Sequence, residues 1–161
     1  MDDESRESVE DLARSVSVAS LGTIHDGEPA VSMVPFALSQ DGTAIYVHVS
    51  RLARHTADMI RAPRVALMIM ESESTGTSSL ALARLSMEGE AREIAHDSSE
   101  YMSARAAYIE RHPEAEPMFG FADFSLFAIS LESGRFVGGF ARAFDLSAEA
   151  LAEVLREHDD A

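Results

Sequence analysis

Residues 48–64 read HVSRLARHTADMIRAPR, and this stretch sets the frame for the rest of the chain. It follows AIYVHV (44–49), which alternates as a strand: Ala44, Tyr46 and His48 fall on one face, Ile45, Val47 and Val49 on the other. From Arg51 the spacing predicts a helix, RLARHTADMIRA, which Pro63 stops. Ser50 stands where a helix N-cap is needed. RVALMIM (64–70) then reads as a strand covered on both faces, because its apolar run is continuous. A strand–helix–strand unit in 27 residues is therefore the seed of the fold.

Upstream, SVEDLARSV predicts a short amphipathic helix with Ser8 as its N-cap. SVSVASLGTI predicts a strand, and the Asp26-Gly27 pair predicts a tight turn that returns AVSMVPFAL as its hairpin partner. Pro35 lies inside that second run and cannot donate to a ladder, so the strand is an edge or is bulged there. Asp41-Gly42 predicts a second turn. Downstream, ESESTGTSS predicts a loop and LALARLSMEGEAREI a long strand with a bulge near Gly89. DSSEYMSARAAYIERH predicts a helix capped around residues 97–99 and ended by Pro113. FSLFAISLESGRFVGGF predicts a last long strand, or a pair broken near Ser133-Gly134, before a closing helix with Ser147 as N-cap. Many strands joined by tight turns, with a helix interrupting the run, predict an antiparallel barrel with helical decoration.

Composition excludes several chemistries. The chain has 161 residues, of which 28 are acidic and 13 basic, for a net charge of −15. Such a field argues against nucleic acid and against anionic membrane surfaces. There is no cysteine, hence no disulfide, thiolate nucleophile or iron–sulfur cluster. Every basic residue is arginine, and without lysine there is no Schiff base. The acidic, polar N-terminus is unlike a signal peptide, and the expected location is the cytoplasm. The six histidines are scattered and form no i, i+4 zinc pair.

Against that acidity, residues 48–64 gather Arg51, Arg54, Arg61 and Arg64 around a single acid, Asp58. Two readings follow. One is an ordinary capped helix with solvated arginines. In the other, the open N–H groups of the first turn, Ser50, His55, Thr56 and the arginine forks make an anion site suited to phosphate.

The order of PAVSMVPFAL, AIYVHVSRLARHTADMIRAPRVALMI, ARLSMEGEA and RHPEAEPMFGFADFSLFAISLESGRFVGGFARA resembles the pyridoxamine 5′-phosphate oxidase-like, FMN-binding split-barrel superfamily. Within it, the Ser-x-Leu-Ala-x-His-Thr segment from Ser50 to Thr56 is similar to the HugZ-type haem-utilisation branch. His112-Pro113, Asp123-Phe124 and the GRFVGGFARA segment are companion cues. The resemblance covers about residues 8–146 and implies a mainly β (α+β) antiparallel split β-barrel with peripheral helices, homodimeric. Residues 1–146 would form this domain and 147–161 a C-terminal helix and acidic tail.

By the same resemblance, a flavin mononucleotide, or haem in some members, would sit between subunits. Ser50, Arg51, His55 and Thr56 would hold the FMN phosphate, and Val34, Pro35 and Phe36 would line the ring edge. Arg84, Arg135, Gly139 and Phe140 would come from the second subunit. Each has a plainer reading: Pro35 as edge protection, Phe140 as core, Arg135 as a solvated turn residue, His48 as a surface or satisfied histidine. The absence of lysine argues against oxidation of pyridoxamine phosphate itself. The implied function is flavin-mediated redox chemistry on a small-molecule substrate. The alternatives are haem binding or degradation, with His158 as an iron ligand, and a non-enzymatic regulatory protein on the same scaffold.

Overall fold

The computed structural model describes residues 1–74, 76–139 and 142–156. In chain order these form α1 (Asp3–Ser15), β1 (Val18–His25), β2 (Glu28–Pro35), β3 (Ala37–Leu38), β4 (Ala44–Ser50), α2 (Arg54–Arg61), β5 (Arg64–Met70), β6 (Arg84–Glu93), α3 (Ser99–Arg111), β7 (Phe124–Val137), β8 (Ala143–Ser147) and α4 (Ala148–Leu155). Short 3₁₀ segments cover Ser79–Ala81 and Pro113–Gly120.

One antiparallel sheet runs in the order β2-β1-β5-β6-β7-β4-β3, with β8 added on β7. The predicted hairpin is present: β1 and β2 pair from Val18↔Pro35 to His25↔Glu28. Asp26 and Gly27 both take positive φ, 50° and 86°, the left-handed turn that matches strand twist. The two edge strands, β2 and β3, are consecutive in the chain and meet at Phe36, whose N–H donates to the Ser17 carbonyl at 3.2 Å. The sheet therefore curls until its edges approach, which is a split barrel. Pro35 ends β2 on that edge, where its missing N–H costs no ladder bond.

β7 is 14 residues long and serves β4 along its first half and β8 along its second. The irregularity expected near Gly89 is a bulge: Glu88 faces Ser133 and Gly89 faces Leu131, leaving Glu132 unmatched. A Cβ at Gly89 would lie 2.2 Å from the Ser130 carbonyl oxygen, so the close approach requires glycine.

Leu21, Ile45, Leu67, Leu85, Phe127, Ile129 and Phe136 fill the barrel. α1 and α4 close it through Val9, Leu12, Leu151 and Val154, so α4 belongs to the same core. A second cluster seats α3 through Tyr101, Ala104 and Tyr108 on Tyr46, Leu126 and Ala128 of the sheet. No helix among the described residues is long and apolar enough to cross a membrane.

Four expectations change. The first helix begins at Asp3, not near Ser8: Asp2 accepts from the Ser5 N–H at 2.8 Å, and Asp3 and Glu4 suit the positive end of the helix. α2 begins at Arg54, three residues later than expected, with Ala53 at its N-cap and no side-chain cap. β5 is not covered on both faces: Val65, Leu67 and Ile69 are buried, whereas Ala66 and Met70 are exposed. The described residues supply a cover for one face only. Finally, Ala143–Ser147, between the last predicted strand and the closing helix, forms a strand of its own, β8, which pairs with β7.

Candidate functional site

Ser50 ends β4 and spends its hydroxyl locally. Its Oγ donates to Asp123 Oδ2 at 2.8 Å and accepts from the Leu52 N–H at 3.1 Å. Ser50 therefore closes the turn before α2 instead of capping the helix, because the chain needs three more residues to change direction. Asp123 also takes the Arg51 N–H on its carbonyl at 2.6 Å, fixing the β4–α2 corner to the start of β7. Arg51 is exposed and ion-paired with Glu93 at the end of β6. Arg54 and Leu52 are exposed as well, Leu52 by 87%.

Thr56 is fully buried, and its Oγ1 donates to the Ser50 carbonyl at 2.7 Å. It pins the first turn of α2 to β4. His55 is half-buried. Burial pulls it below the ordinary imidazole value, with the Asp58 charge pulling it back. At neutral pH it presents a neutral ring to the corner, and the cations there are Arg51 and Arg54.

At the β2–β3 junction, Val34 and Phe36 are each 1% exposed and point into the core, while Pro35 is exposed. The Phe36 backbone is engaged on both sides. Its N–H is taken by Ser17, and its carbonyl accepts from the His112 Nε2–H at 2.8 Å. His112, expected only as a family cue, thus ties the end of α3 to this junction. Upstream on β2, Ser32 Oγ is buried with no hydrogen-bond partner, an orphaned polar atom beside the predicted ring-edge residues.

Arg84 and Arg135 lie elsewhere. The register Met70↔Arg84, Ser86↔Arg135 and Arg84↔Val137 puts both on the outward face of the sheet. Arg84 donates to the Leu82 carbonyl at 3.1 Å, and Arg135 pairs with Asp145 at 2.5 Å. Arg51 meets Glu93 at the far end of β6, nine residues from Arg84 and seven from the Ser86 that faces Arg135, so the two arginine sets stand roughly 23–30 Å apart along the strand in one chain. Gly139 has a φ of 92°, a left-handed turn that favours glycine. Phe140 and His158 lie outside the described residues.

Three features escaped the sequence reading. The outward face of β1, β2 and β5 is apolar and open, with Val31 at 73%, Met33 at 63% and Met70 at 40% exposure. A cavity of about 240 Å³ lies between α1, β3, α3 and α4, with Phe36 and Leu38 in its wall, away from the Ser50–Thr56 corner. A buried network also joins Thr23, Asp58 and His25, residues 33 to 35 positions apart, which no local pattern could have paired.

Residues 3–138 match the pyridoxamine 5′-phosphate oxidase family. Haem oxygenase HutZ of Vibrio cholerae serotype O1 is 32% identical over 128 residues, covering 79% of this chain and 72% of that protein. The chloroplastic non-canonical haem oxygenase HOZ of Arabidopsis thaliana is 34% identical over 120 residues, 74% of this chain but only 35% of that protein. Among solved structures, a haem-binding protein from Mycobacterium smegmatis superposes with a TM-score of 0.83 at 28% identity, over 95% of this chain and 62% of that one. The chain thus spans about a third of the plant protein and under two thirds of the mycobacterial one. A curled antiparallel sheet with helices at its ends, a match over residues 3–138 and two relatives above 30% identity agree: the chain belongs to the pyridoxamine 5′-phosphate oxidase-like split-barrel family, close to its HugZ branch.

Proposed function

We propose that the protein binds haem between two copies of the chain and acts in haem utilisation. The observation that carries this reading is that both curated relatives, at 32% and 34% identity, are haem oxygenases. The residues fit such a group in kind. A porphyrin needs broad apolar cover and cations for two propionates. The open face around Val31, Met33 and Met70 supplies the first, and Arg51, Arg54, Arg84 and Arg135 supply the second. Bound haem would supply the redox chemistry, and the chain would bind, orient and shield it.

Two observations support a homodimer. The arginines of the Ser50–Thr56 corner and those of the β6–β7 face are roughly 23–30 Å apart along the strand in one chain, so a single site that uses both draws them from two copies. An open apolar sheet face is also a surface that a second copy would cover. Val31→Asp combined with Met33→Asp should sediment as a folded monomer; a dimer that persists in that variant would sink the interface.

A second reading, FMN on the same corner, is favoured by the family match and by the exposed Arg51 and Arg54 beside the open α2 N-terminus. Visible titration of the purified chain with haemin and with FMN separates the two. A Soret shift that saturates near one haem per chain or per dimer supports the haem reading. Quenched flavin fluorescence without haem uptake supports FMN. Binding of neither overturns both and leaves the regulatory-protein reading. Soret decay on adding ascorbate under air would extend haem binding to degradation, and a stable band would confine the function to binding. Loss of the Soret shift in His158→Ala would assign the iron ligand, and an unchanged spectrum would remove it.

A further inference from the structure

α2 is seated largely by polar contacts: of its buried residues Thr56, Asp58 and Met59, only the last is apolar. Asp58 is 1% exposed. Its Oδ2 accepts from Thr23 Oγ1 at 3.0 Å, and its Oδ1 lies 2.7 Å from His25 Nδ1, where the ring N–H donates. Burial pushes the Asp58 carboxyl up. The hydrogen bonds from His25 and Thr23, with the charges of His25 and Arg54, outweigh it and hold the group below the usual carboxylate range. The asparticacid therefore stays ionised inside. The chain of contacts continues outward: His25 Nε2 lies 3.6 Å from Asp26 Oδ2, and Asp26 Oδ1 lies 3.9 Å from Arg61 Nη1. Asp58 and Arg61 both belong to α2, while Thr23, His25 and Asp26 belong to β1 and its turn. The helix thus grips the hairpin tip at two points, Asp58 on His25 and Arg61 on Asp26.

This is not a nucleophile–base arrangement, because Thr23 donates to Asp58 and not to His25. Nor is it the cheapest way to dock a helix. Replacing a buried charge and its partners by well-packed apolar groups is often neutral or stabilising, so such a network fixes position more than it adds stability. Position matters here for two reasons. α2 has eight residues and no side-chain cap, and its first residues, Arg54 and His55, belong to the candidate site. The hairpin that Asp58 grips continues along β2 to Val34–Phe36, the other half of that site.

We propose that Thr23, Asp58 and His25 are positioning residues that hold the cationic start of α2 in register with the β2–β3 junction, and so set how tightly the cofactor is bound. The inference rests on the cofactor reading above. Thermodynamic linkage gives it a second face: if the brace sets affinity, cofactor binding stabilises the brace in return.

The test separates position from stability. Thr23→Val with Asp58→Leu removes both buried polar groups, fills their space and leaves the half-exposed His25 to water. The expected result is a thermal midpoint equal to or above that of the unaltered chain, with haemin affinity, or FMN affinity if that is the ligand, lower by about tenfold. Asp58→Asn, which keeps the acceptor, should recover most of the affinity. Unaltered chain that binds neither ligand would fail the cofactor reading itself. Unaltered chain that binds, beside a double variant that binds equally well, would overturn the positioning role alone. Affinity that simply follows the thermal midpoint across the three proteins would overturn it too.

Discussion

α2 and α3 seat on the same sheet by opposite means. α3 docks through Tyr101, Ala104 and Tyr108, and the ionisable group beneath it, His48, is surrounded by rings. His48 stacks on Phe119 with centroids 3.8 Å apart and meets the edge of Tyr108 at 5.8 Å. With no partner charge, burial alone pulls its pKa down to about 4, so it is neutral at pH 7. Burial likewise pushes Tyr108 up to about 12. α2 docks through Thr56, Asp58 and Met59, and the ionisable group beneath it keeps its charge because His25 and Thr23 replace the water it lost. Desolvation acts on both groups, and local partners decide which of them stays ionised. An apolar seat tolerates small shifts of a helix, whereas a hydrogen-bonded charge does not. The stricter seat lies under the helix that carries the candidate site.

The largest test of this contrast is Asp58→Ala. It strands the His25 and Thr23 donors and opens a void, so the loss should be about 3–5 kcal/mol of unfolding free energy in urea. A loss below about 1 kcal/mol would mean that the carboxylate contributes no more than a surface group.

Acid titration comes next. The folded His48 pKa lies near 4, below its ordinary 6.5. Between those values the unfolded chain binds the extra proton, so stability falls as pH drops through that window, by about 1.4 kcal/mol per pH unit at most. His48→Phe should flatten that slope. Asp58 acts in the other window: its folded pKa is depressed, so its contribution persists until pH falls below the ordinary carboxylate range. An acid limb between pH 6.5 and 4 that is identical in His48→Phe would remove His48 as its source.

Phe119→Ala is expected to cost about 2 kcal/mol, since the ring is only partly buried, and to raise the His48 pKa by readmitting water. Histidine proton shifts followed by NMR would check this, and an unmoved titration would mean that Phe119 does not seal the ring. The smallest effect should come from Arg105→Ala. Its guanidinium sits 5.3 Å from the Phe119 centroid, a contact expected to contribute about 0.5–1 kcal/mol. Chemical denaturation would read that loss, and a change above about 2 kcal/mol would point to a role beyond the ring contact.

The predicted Asp26-Gly27 hairpin and the caps of α3 and α4 depend on residues within a few positions of one another, so the sequence carries them openly. The Pro35 edge and the Gly89 bulge were legible from residue type alone, although the partners they meet, Val18 and Leu131, stand elsewhere in the chain. The Arg-rich corner was legible for the same reason: strand end, turn and helix start are contiguous. By itself, then, the sequence determined the order of elements, their turns and the segment where cations gather. The tertiary structure alone decided which hydroxyls in that segment are already engaged, as Ser50 with Asp123 and Thr56 with the Ser50 carbonyl show. It decided that one face of β5 lies open, because apolar runs look alike whether the second cover comes from the same chain or another. And it decided that Asp58 meets His25 and Thr23 across 33 to 35 residues, a meeting set by sheet register and helix docking that periodicity cannot encode.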